Sequence, residues 1–218
     1  MVVKKVLITG VSGLVGGVVF RRLQREPQKY EVYGLDRSEE LSARAREADL
    51  KPIPAEWFYK GDIFTGRSLK KAIEGKNIVV HLAADPNIDA GWSSVFRNNI
   101  VGTWNVFRAA RRAGVQRIIF GSSLFVTMEP KKPYSVGKAW GERLALRYTD
   151  KYGLSCKILR IGAVNPDDQP GRDPVWAACW GSHDKIGDWV ERCLGASEGE
   201  NHTGPSPRRT HKKEEETV

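Results

Sequence analysis

A short apolar strand that runs directly into evenly spaced glycines constrains this sequence more than any other feature. Residues 2–9, Val-Val-Lys-Lys-Val-Leu-Ile-Thr, precede a Gly-x-x-Gly-x-x-Gly motif, and residues 15–23 continue with helical spacing. Glycines at these places let the backbone turn sharply off the strand and let a pyrophosphate approach the N-terminus of the next helix, where free N–H groups favour anions. The predicted cofactor-binding residues of this turn are Gly10, Gly13, Leu14, Val15 and Gly16.

An acidic residue after the second predicted strand specifies the nucleotide. Residues 31–35 form this strand, and Asp36 follows it, twenty residues after Gly16. A carboxylate at this place accepts hydrogen bonds from the ribose hydroxyls and repels a 2′-phosphate. Asp36 therefore favours NAD over NADP, whereas the neighbouring Arg37 leaves that preference open.

Strands and helices alternate along the chain. We predict strands over residues 3–9, 31–35, 57–59, 77–82, 115–120 and 155–161, and helices over residues 13–25, 67–74, 93–113, 134–152 and 183–194. Alternating βα units of this length predict a doubly wound α/β fold of the Rossmann type, in which helices cover both faces of a parallel sheet. Ligands bind such sheets outside the carboxyl ends of the strands.

The length of 218 residues corresponds to about one domain. We assign residues 1–164 to an NAD-binding domain and residues 165–196 to a reduced substrate-side segment. Residues 197–218 contain almost no apolar side chains and are predicted to be a disordered tail.

Charge and cysteine content narrow the possible partners and compartment. The net charge of +9 comes from 35 basic and 26 acidic residues that are scattered along the chain, which favours attraction of an anionic cofactor and substrate over nucleic-acid binding. The sequence contains no long uncharged apolar run, so we predict no membrane-spanning helix. The cysteines, Cys156, Cys179 and Cys193, lack metal-ligand spacing, so we expect reduced thiols, no metal site and a cytoplasmic location.

Two further groups of residues follow predicted strands. Asp62 and Ile63 come after the third strand, where a carboxylate can contact an adenine amino group. Leu82, Ala83 and Ala84 close the fourth strand, and their small side chains let a cofactor lie close to the backbone. All five are predicted to bind the cofactor.

A serine pair and a tyrosine–lysine pair carry the predicted chemistry. Ser122 and Ser123 follow the fifth strand, and Tyr134 and Lys138 project one helical turn apart from the next helix. An ammonium beside a phenol favours the phenolate and lowers the phenol pKa. The tyrosine can then exchange a proton with a substrate hydroxyl that the serine also holds. This spacing is common on helix surfaces, but its place after a dinucleotide motif favours catalysis.

Taken in order, these motifs resemble the signatures of the extended short-chain dehydrogenases/reductases, the NAD-dependent epimerase/dehydratase group. The resemblance extends over about residues 3–194 and depends on Thr9-Gly10-x-x-Gly13-x-x-Gly16, Asp62-Ile63, His81-Leu82-Ala83-Ala84, Asn99-Ile100-Val101-Gly102-Thr103, Ser122-Ser123 and Tyr134-x-x-x-Lys138. It implies an NAD(P) cofactor, a hydride-transfer step and sugar or nucleotide-sugar substrates. It also implies homodimers packed through the helices at 93–113 and 134–152.

The resemblance assigns roles residue by residue. Ser123 matches the catalytic serine, Tyr134 the acid/base and Lys138 its partner, and the last two also match cofactor contacts. Asn99 matches the asparagine that orders the site beside the cofactor.

Residues 160–162 and 180–184 resemble the uronate dehydrogenase branch of this group. In that branch, an arginine at the position of Arg172 pairs with a substrate carboxylate, a bidentate arrangement. Ser122 and Ser123 complete the predicted substrate contacts.

Three features depart from the family pattern. Ten residues separate Ser123 from Tyr134, which is a short substrate-facing segment, and Pro86 and Leu124 stand where polar substrate contacts are expected. The substrate-side segment after residue 164 is also reduced. Three functions therefore stay open: a sugar or sugar-acid dehydrogenase, a sugar or nucleotide-sugar epimerase or dehydratase, and an NAD-binding remnant that serves as a sensor or scaffold.

Overall fold

The structure, a computed structural model, describes residues 2–65 and 67–195, and the predicted tail at 197–218 lies outside them. The described residues form a six-stranded parallel sheet in the order β3-β2-β1-β4-β5-β6. Its strands are β1 (Lys4–Thr9), β2 (Tyr30–Asp36), β3 (Phe58–Lys60), β4 (Ile78–His81), β5 (Arg117–Ser123) and β6 (Ser155–Ile161). The predicted doubly wound Rossmann-type fold is confirmed.

The described helices are α1 (Leu14–Gln24), α2 (Ala43–Glu47), α3 (Arg67–Ile73), α4 (Trp92–Val95), α5 (Thr103–Arg112), α6 (Phe125–Met128), α7 (Pro133–Tyr152), α8 (Pro174–Ala178) and α9 (His183–Gly195). A 3₁₀ turn covers Ala55–Trp57, and a π-helical segment, Phe96–Gly102, joins α4 to α5. The single helix predicted at 93–113 therefore consists of three parts. The sequence did not predict α2, α6 and α8, because four or five residues are too few to show a helical period.

Two apolar layers enclose the sheet. Along β1, Val6 and Ile8 pack into the layer formed with α1 and α9, whereas Leu7 packs into the layer formed with α3, α5 and α7. This alternation follows from the two-residue period of a strand whose two faces are both covered. Helix α9 packs against α1, β5 and β6, and ion pairs from Arg22 to Asp188 and Glu191 also join it to α1.

The strand order creates the crevice where a ligand can bind. The chain moves outward from β1 to β2 and β3, and then returns to the other side of β1 for β4. Crossovers that leave in opposite directions leave a crevice at the carboxyl ends of the two neighbouring strands. Helix α7 lies close to β5 because Gly141 sits against Phe120, where a Cβ would collide with the ring.

No helix among the described residues is long and apolar enough to cross a membrane.

Candidate active site

The glycine turn after β1 forms a cradle that side chains would fill. Gly10 has a φ of +78°, and a Cβ there would lie 2.7 Å from the Ala83 backbone nitrogen. A Cβ at Gly16 would collide with the Gly10 carbonyl. Helix α1 begins at Leu14, and no side chain caps its N-terminal amides at Gly13. The turn therefore offers free backbone donors to an anion at close range.

A cavity of about 490 Å³ opens over this cradle. It is lined by Leu35, Ser42, Ala43, Arg44, Gly61, Pro86 and Asn98. It is also lined by twelve of the predicted cofactor-binding residues: Gly10, Gly13, Leu14, Val15, Gly16, Asp36, Arg37, Asp62, Ile63, Leu82, Ala83 and Ala84. The structure thus brings the residues of four strand ends to one site of nucleotide size.

The Asp36 carboxylate lies at the end of β2 and is held in place by backbone amides. The Ser12 amide donates to Oδ2 at 3.0 Å, and the Arg37 amide donates to Oδ1 at 2.7 Å. Carboxylate oxygens have further lone pairs that can accept ribose hydroxyls. The exposed Arg37 lines the same cavity.

The Asp62 carboxylate also has fixed partners. Its Oδ1 accepts the Phe64 amide at 2.8 Å, and its Oδ2 accepts Nη2 of Arg97 at 2.9 Å. The Arg97 guanidinium lies 4.0 Å from the centroid of the Phe64 ring. This ion pair orients Asp62 at the rim of the cavity, and nothing in the local spacing indicated it.

A second cavity of about 480 Å³ adjoins the first. The two cavities share Val15, Arg44, Leu82, Ala84 and Pro86. The second is also lined by all three predicted catalytic residues, Ser123, Tyr134 and Lys138. A ligand that extends from the first cavity would therefore reach the tyrosine.

Tyr134 is buried, and its phenol shares a hydrogen bond with Ser123. Burial raises the pKa of Tyr134 above its ordinary value, and the Ser123 hydrogen bond opposes that rise. The expectation that Lys138 lowers this pKa is wrong for the described structure. The Lys138 Nζ lies 5.8 Å from the ring centroid and donates to the Gly121 carbonyl at 2.7 Å, so desolvation of the phenolate dominates.

Burial also acts on Lys138. It lowers the pKa of the ammonium to about 8. The lysine is therefore close to its titration range near neutral pH, where a lysine in water is fully charged.

The predicted substrate contact of Ser122 stays a prediction, but its hydroxyl already has a partner in the protein. Ser122 lines the second cavity, and its hydroxyl donates to Oε1 of Glu142 at 2.5 Å. Arg160 donates to both oxygens of the same carboxylate, from Nε at 2.8 Å and from Nη2 at 2.7 Å. Glu142 follows Lys138 by four residues, as Lys138 follows Tyr134, so the three side chains lie on one face of α7. This buried network joins β5, β6 and α7 behind the catalytic residues.

Asn99 is buried in the π-helical segment and does not line either cavity. Its Oδ1 accepts the Asp85 amide at 2.7 Å, and its Nδ2 donates to the Asp85 carbonyl at 3.2 Å. The predicted ordering role agrees with these contacts, and the predicted cofactor contact of Asn99 stays a prediction. Its neighbour Asn98 lines the first cavity instead.

Arg172 is exposed and lies outside the lining of both cavities. The pairing of Arg172 with a substrate carboxylate therefore stays a prediction. Two aromatic side chains that sequence reasoning did not assign to the site, Phe125 and Trp176, stack at 5.1 Å and line the second cavity.

His81 supports the strand end rather than the chemistry. Its Nδ1 is hydrogen-bonded to the Thr9 hydroxyl at 2.8 Å and its Nε2 to the Thr103 hydroxyl at 3.1 Å. Burial, and then the charge of Lys138, lower the pKa of His81 to about 3, so the ring is neutral. The described residues contain no cluster of three or more His, Cys, Asp or Glu side chains placed to hold a metal.

Comparison with known proteins gives concordant results. The model of the NAD dependent epimerase/dehydratase family matches residues 6–165. The chain is 32% identical to L-arabinose 1-dehydrogenase (NAD(P)(+)) of Haloferax volcanii, over 76% of this chain and 69% of that protein. It is 28% identical to uronate dehydrogenase of Pseudomonas putida, over 94% of this chain and 78% of that protein.

A solved structure is similar over nearly the same length. It is a mutant of uronate dehydrogenase from Agrobacterium tumefaciens complexed with NAD, with a TM-score of 0.74 and 26% identity. The match covers 93% of this chain and 76% of that one.

Proposed function

The chain belongs to the NAD-dependent epimerase/dehydratase family, and we propose that it oxidises a hydroxyl group of a sugar or sugar acid with NAD as the cofactor. The observation that carries the proposal is the junction of the two cavities, one lined by the glycine turn and Asp36, the other by Ser123, Tyr134 and Lys138. The arabinose and uronate dehydrogenases to which the chain is similar support the substrate class.

The residues present fit NAD. The free amides at the start of α1 suit the pyrophosphate, and the Asp36 carboxylate suits the adenosine ribose. The glycine cradle leaves no room for side chains, as close approach of a cofactor requires. When bound, NAD supplies a nicotinamide ring that accepts a hydride.

In this proposal Tyr134 accepts the proton that leaves the substrate hydroxyl, and Ser123 holds the same oxygen. Because burial raises the Tyr134 pKa, the phenol is protonated at neutral pH and becomes a base as the pH rises. Oxidation should therefore accelerate from neutral to alkaline pH. The stacked rings of Phe125 and Trp176 form an apolar wall of the second cavity and exclude water from the reacting hydroxyl.

We further propose that NAD binds more tightly than NADP. The charge of Asp36, held by the Ser12 amide, would repel a 2′-phosphate. Calorimetric titration of both cofactors tests this, and equal or reversed affinities would refute the assignment.

We also propose that the protein is a cytoplasmic homodimer. The three cysteines are free and buried, in keeping with a reducing compartment. Large apolar side chains are exposed on the neighbouring helical segments α4 to α5 and on α7: Trp92, Phe96, Trp104, Val136 and Leu146. A second copy would cover them. Sedimentation velocity should give a dimer for the wild type and a monomer for Leu146→Glu, and a monomeric wild type would refute the dimer.

A substrate screen tests the proposed reaction. Uronic acids, aldoses and nucleotide sugars are each incubated with the protein and NAD, and reduced nicotinamide is followed by absorbance. Steady formation of NADH with a sugar or sugar acid is the expected result. Conversion of a nucleotide sugar without net NADH would favour an epimerase or dehydratase. NAD binding without turnover of any substrate would favour the remnant that acts as a sensor or scaffold.

A further inference from the structure

Arg44 joins two segments on opposite sides of the two cavities. It lies in the first turn of α2 and is exposed, yet its Nη2 donates to the Val164 carbonyl at 2.5 Å, on the far side of the site after β6. It lines the first cavity and the second cavity. Among the five residues that line both, Arg44 is the charged one.

The place that both cavities share is where a dinucleotide carries its negative charge. The pyrophosphate connects the two nucleosides, so it must pass the junction at which Val15, in the first turn of α1, borders both cavities. Backbone amides at this helix end provide donors but no full positive charge. A guanidinium has five N–H donors in a fork that matches two phosphate oxygens, and the hydrogen bond to Val164 uses one of its nitrogens.

The other charged side chains of the first cavity are less suited to this role. Asp36 and Asp62 are acidic, and Asp62 is already paired with Arg97. Arg37 lines the first cavity but does not reach the junction with the second. In the second cavity, Lys138 is buried and donates to a backbone carbonyl.

We propose that Arg44 binds the pyrophosphate of NAD and holds the cofactor across the cleft. This inference rests on the proposed function, in that NAD must bind in these cavities. The same arginine links α2 to the segment after β6, so the contact with the cofactor and the contact between these two segments would depend on one side chain.

Arg46 provides a matched control. It lies two residues further along α2 and is also exposed, but its Nη1 donates to the Leu41 carbonyl and it lines neither cavity. Replacing either arginine by methionine changes the net charge equally. A loss that is specific to Arg44 therefore cannot come from the general electrostatic field of the protein.

Calorimetric titration with NAD⁺ and with ADP-ribose, which keeps the pyrophosphate but lacks nicotinamide, tests the proposal. We expect Arg44→Met to weaken both ligands by about 10- to 100-fold, the usual loss for a charge-assisted hydrogen bond. Arg46→Met should bind both ligands like the wild type. Arg44→Lys should recover part of the affinity, and the affinity of wild type should depend more steeply on salt concentration than that of Arg44→Met.

Other outcomes would overturn the proposal. Wild-type affinity of Arg44→Met for ADP-ribose would exclude a pyrophosphate contact, and a raised KM for a sugar acid with unchanged NAD⁺ affinity would assign Arg44 to the substrate instead. Thermal unfolding of each variant separates a folding defect from a lost contact, and Arg44→Lys keeps the test valid if Arg44→Met unfolds. Failure of the wild type to bind NAD⁺ would instead refute the proposed function.

Discussion

Replacing Glu142 by glutamine tests the network that supports the catalytic strand ends. The carboxylate is buried and accepts three hydrogen bonds, one from Ser122 and two from Arg160. Glutamine keeps the shape of the side chain but loses the charge. The NH₂ group of glutamine also cannot accept a hydrogen bond, so at least one donor of Arg160 or Ser122 is left facing another donor.

The size of the effect follows from the burial of the pair. Removing one partner of a fully buried ion pair costs about 3–5 kcal/mol. The Arg160 side chain is 29% exposed, so water can solvate it in part, and we expect a loss of about 2–3 kcal/mol in the free energy of unfolding. For a protein of this size, this corresponds to a fall in Tm of about 4–12 °C.

The ion pair between Lys132 and Asp89 provides the control, because its N···O distance of 2.7 Å equals that between Arg160 and Glu142. Its side chains are 35% and 70% exposed, so Asp89→Asn should leave stability almost unchanged. Urea unfolding followed by tryptophan fluorescence compares the variants. Equal losses for both, or no loss for Glu142→Gln, would show that burial of this network does not stabilise the fold.

Three further changes give distinct readouts. Tyr134→Phe should lower kcat/KM by about 10²–10⁴-fold and leave the NAD affinity measured by calorimetry intact; near-native turnover would remove the phenol from the mechanism. Stability to urea should fall as the pH drops from 6.5 towards 3. Burial lowers the pKa of His81 to about 3, so in this range the unfolded chain binds a proton at His81 and the folded chain does not. A His81→Gln variant with an equally steep pH dependence would contradict this. Gly162→Ala should unfold at a lower temperature than Gly91→Ala, since a Cβ at Gly162 would collide with the Cys179 carbonyl and one at Gly91 meets open space; equal Tm values would show that the backbone relaxes freely.

The sequence predicted the parts of the site that depend on local spacing. The glycine turn, Asp36 at the end of β2 and the Tyr134–Lys138 pair all follow from short patterns placed on a strand or a helix. The sheet then brings such strand ends together without further information, because parallel strands carry their carboxyl ends to one edge.

The parts that the sequence did not predict depend on packing between distant residues. Ser122 and Ser123 are adjacent in β5, so the pleat directs their side chains to opposite faces, and only one of them meets Tyr134 while the other meets Glu142. The direction of the Tyr134 pKa shift depends on how much water the fold removes from the phenol. No sequence motif indicates which serine meets Tyr134 or how strongly the phenol is desolvated.

The position of Arg44 and Arg172 shows the same limit for loops and short helices. Arg172 matched a family position but is exposed and does not line either cavity. Arg44 matched no motif, yet α2 directs it across the cleft to Val164. Side chains on irregular segments are placed by tertiary contacts, which a one-dimensional pattern does not contain.

Transfer of a labelled hydride is the most direct test of the proposed oxidation. A uronic acid or aldose that carries deuterium at every carbon bearing a hydroxyl group is incubated with the wild-type protein and NAD⁺, and the cofactor is analysed by mass spectrometry alongside a Tyr134→Phe control. We expect deuterated NADH to accumulate over many turnovers with the wild type and to be almost absent with the variant. Unlabelled cofactor with every sugar, or label that returns to an epimerised product, would contradict the assignment of this site to net oxidation.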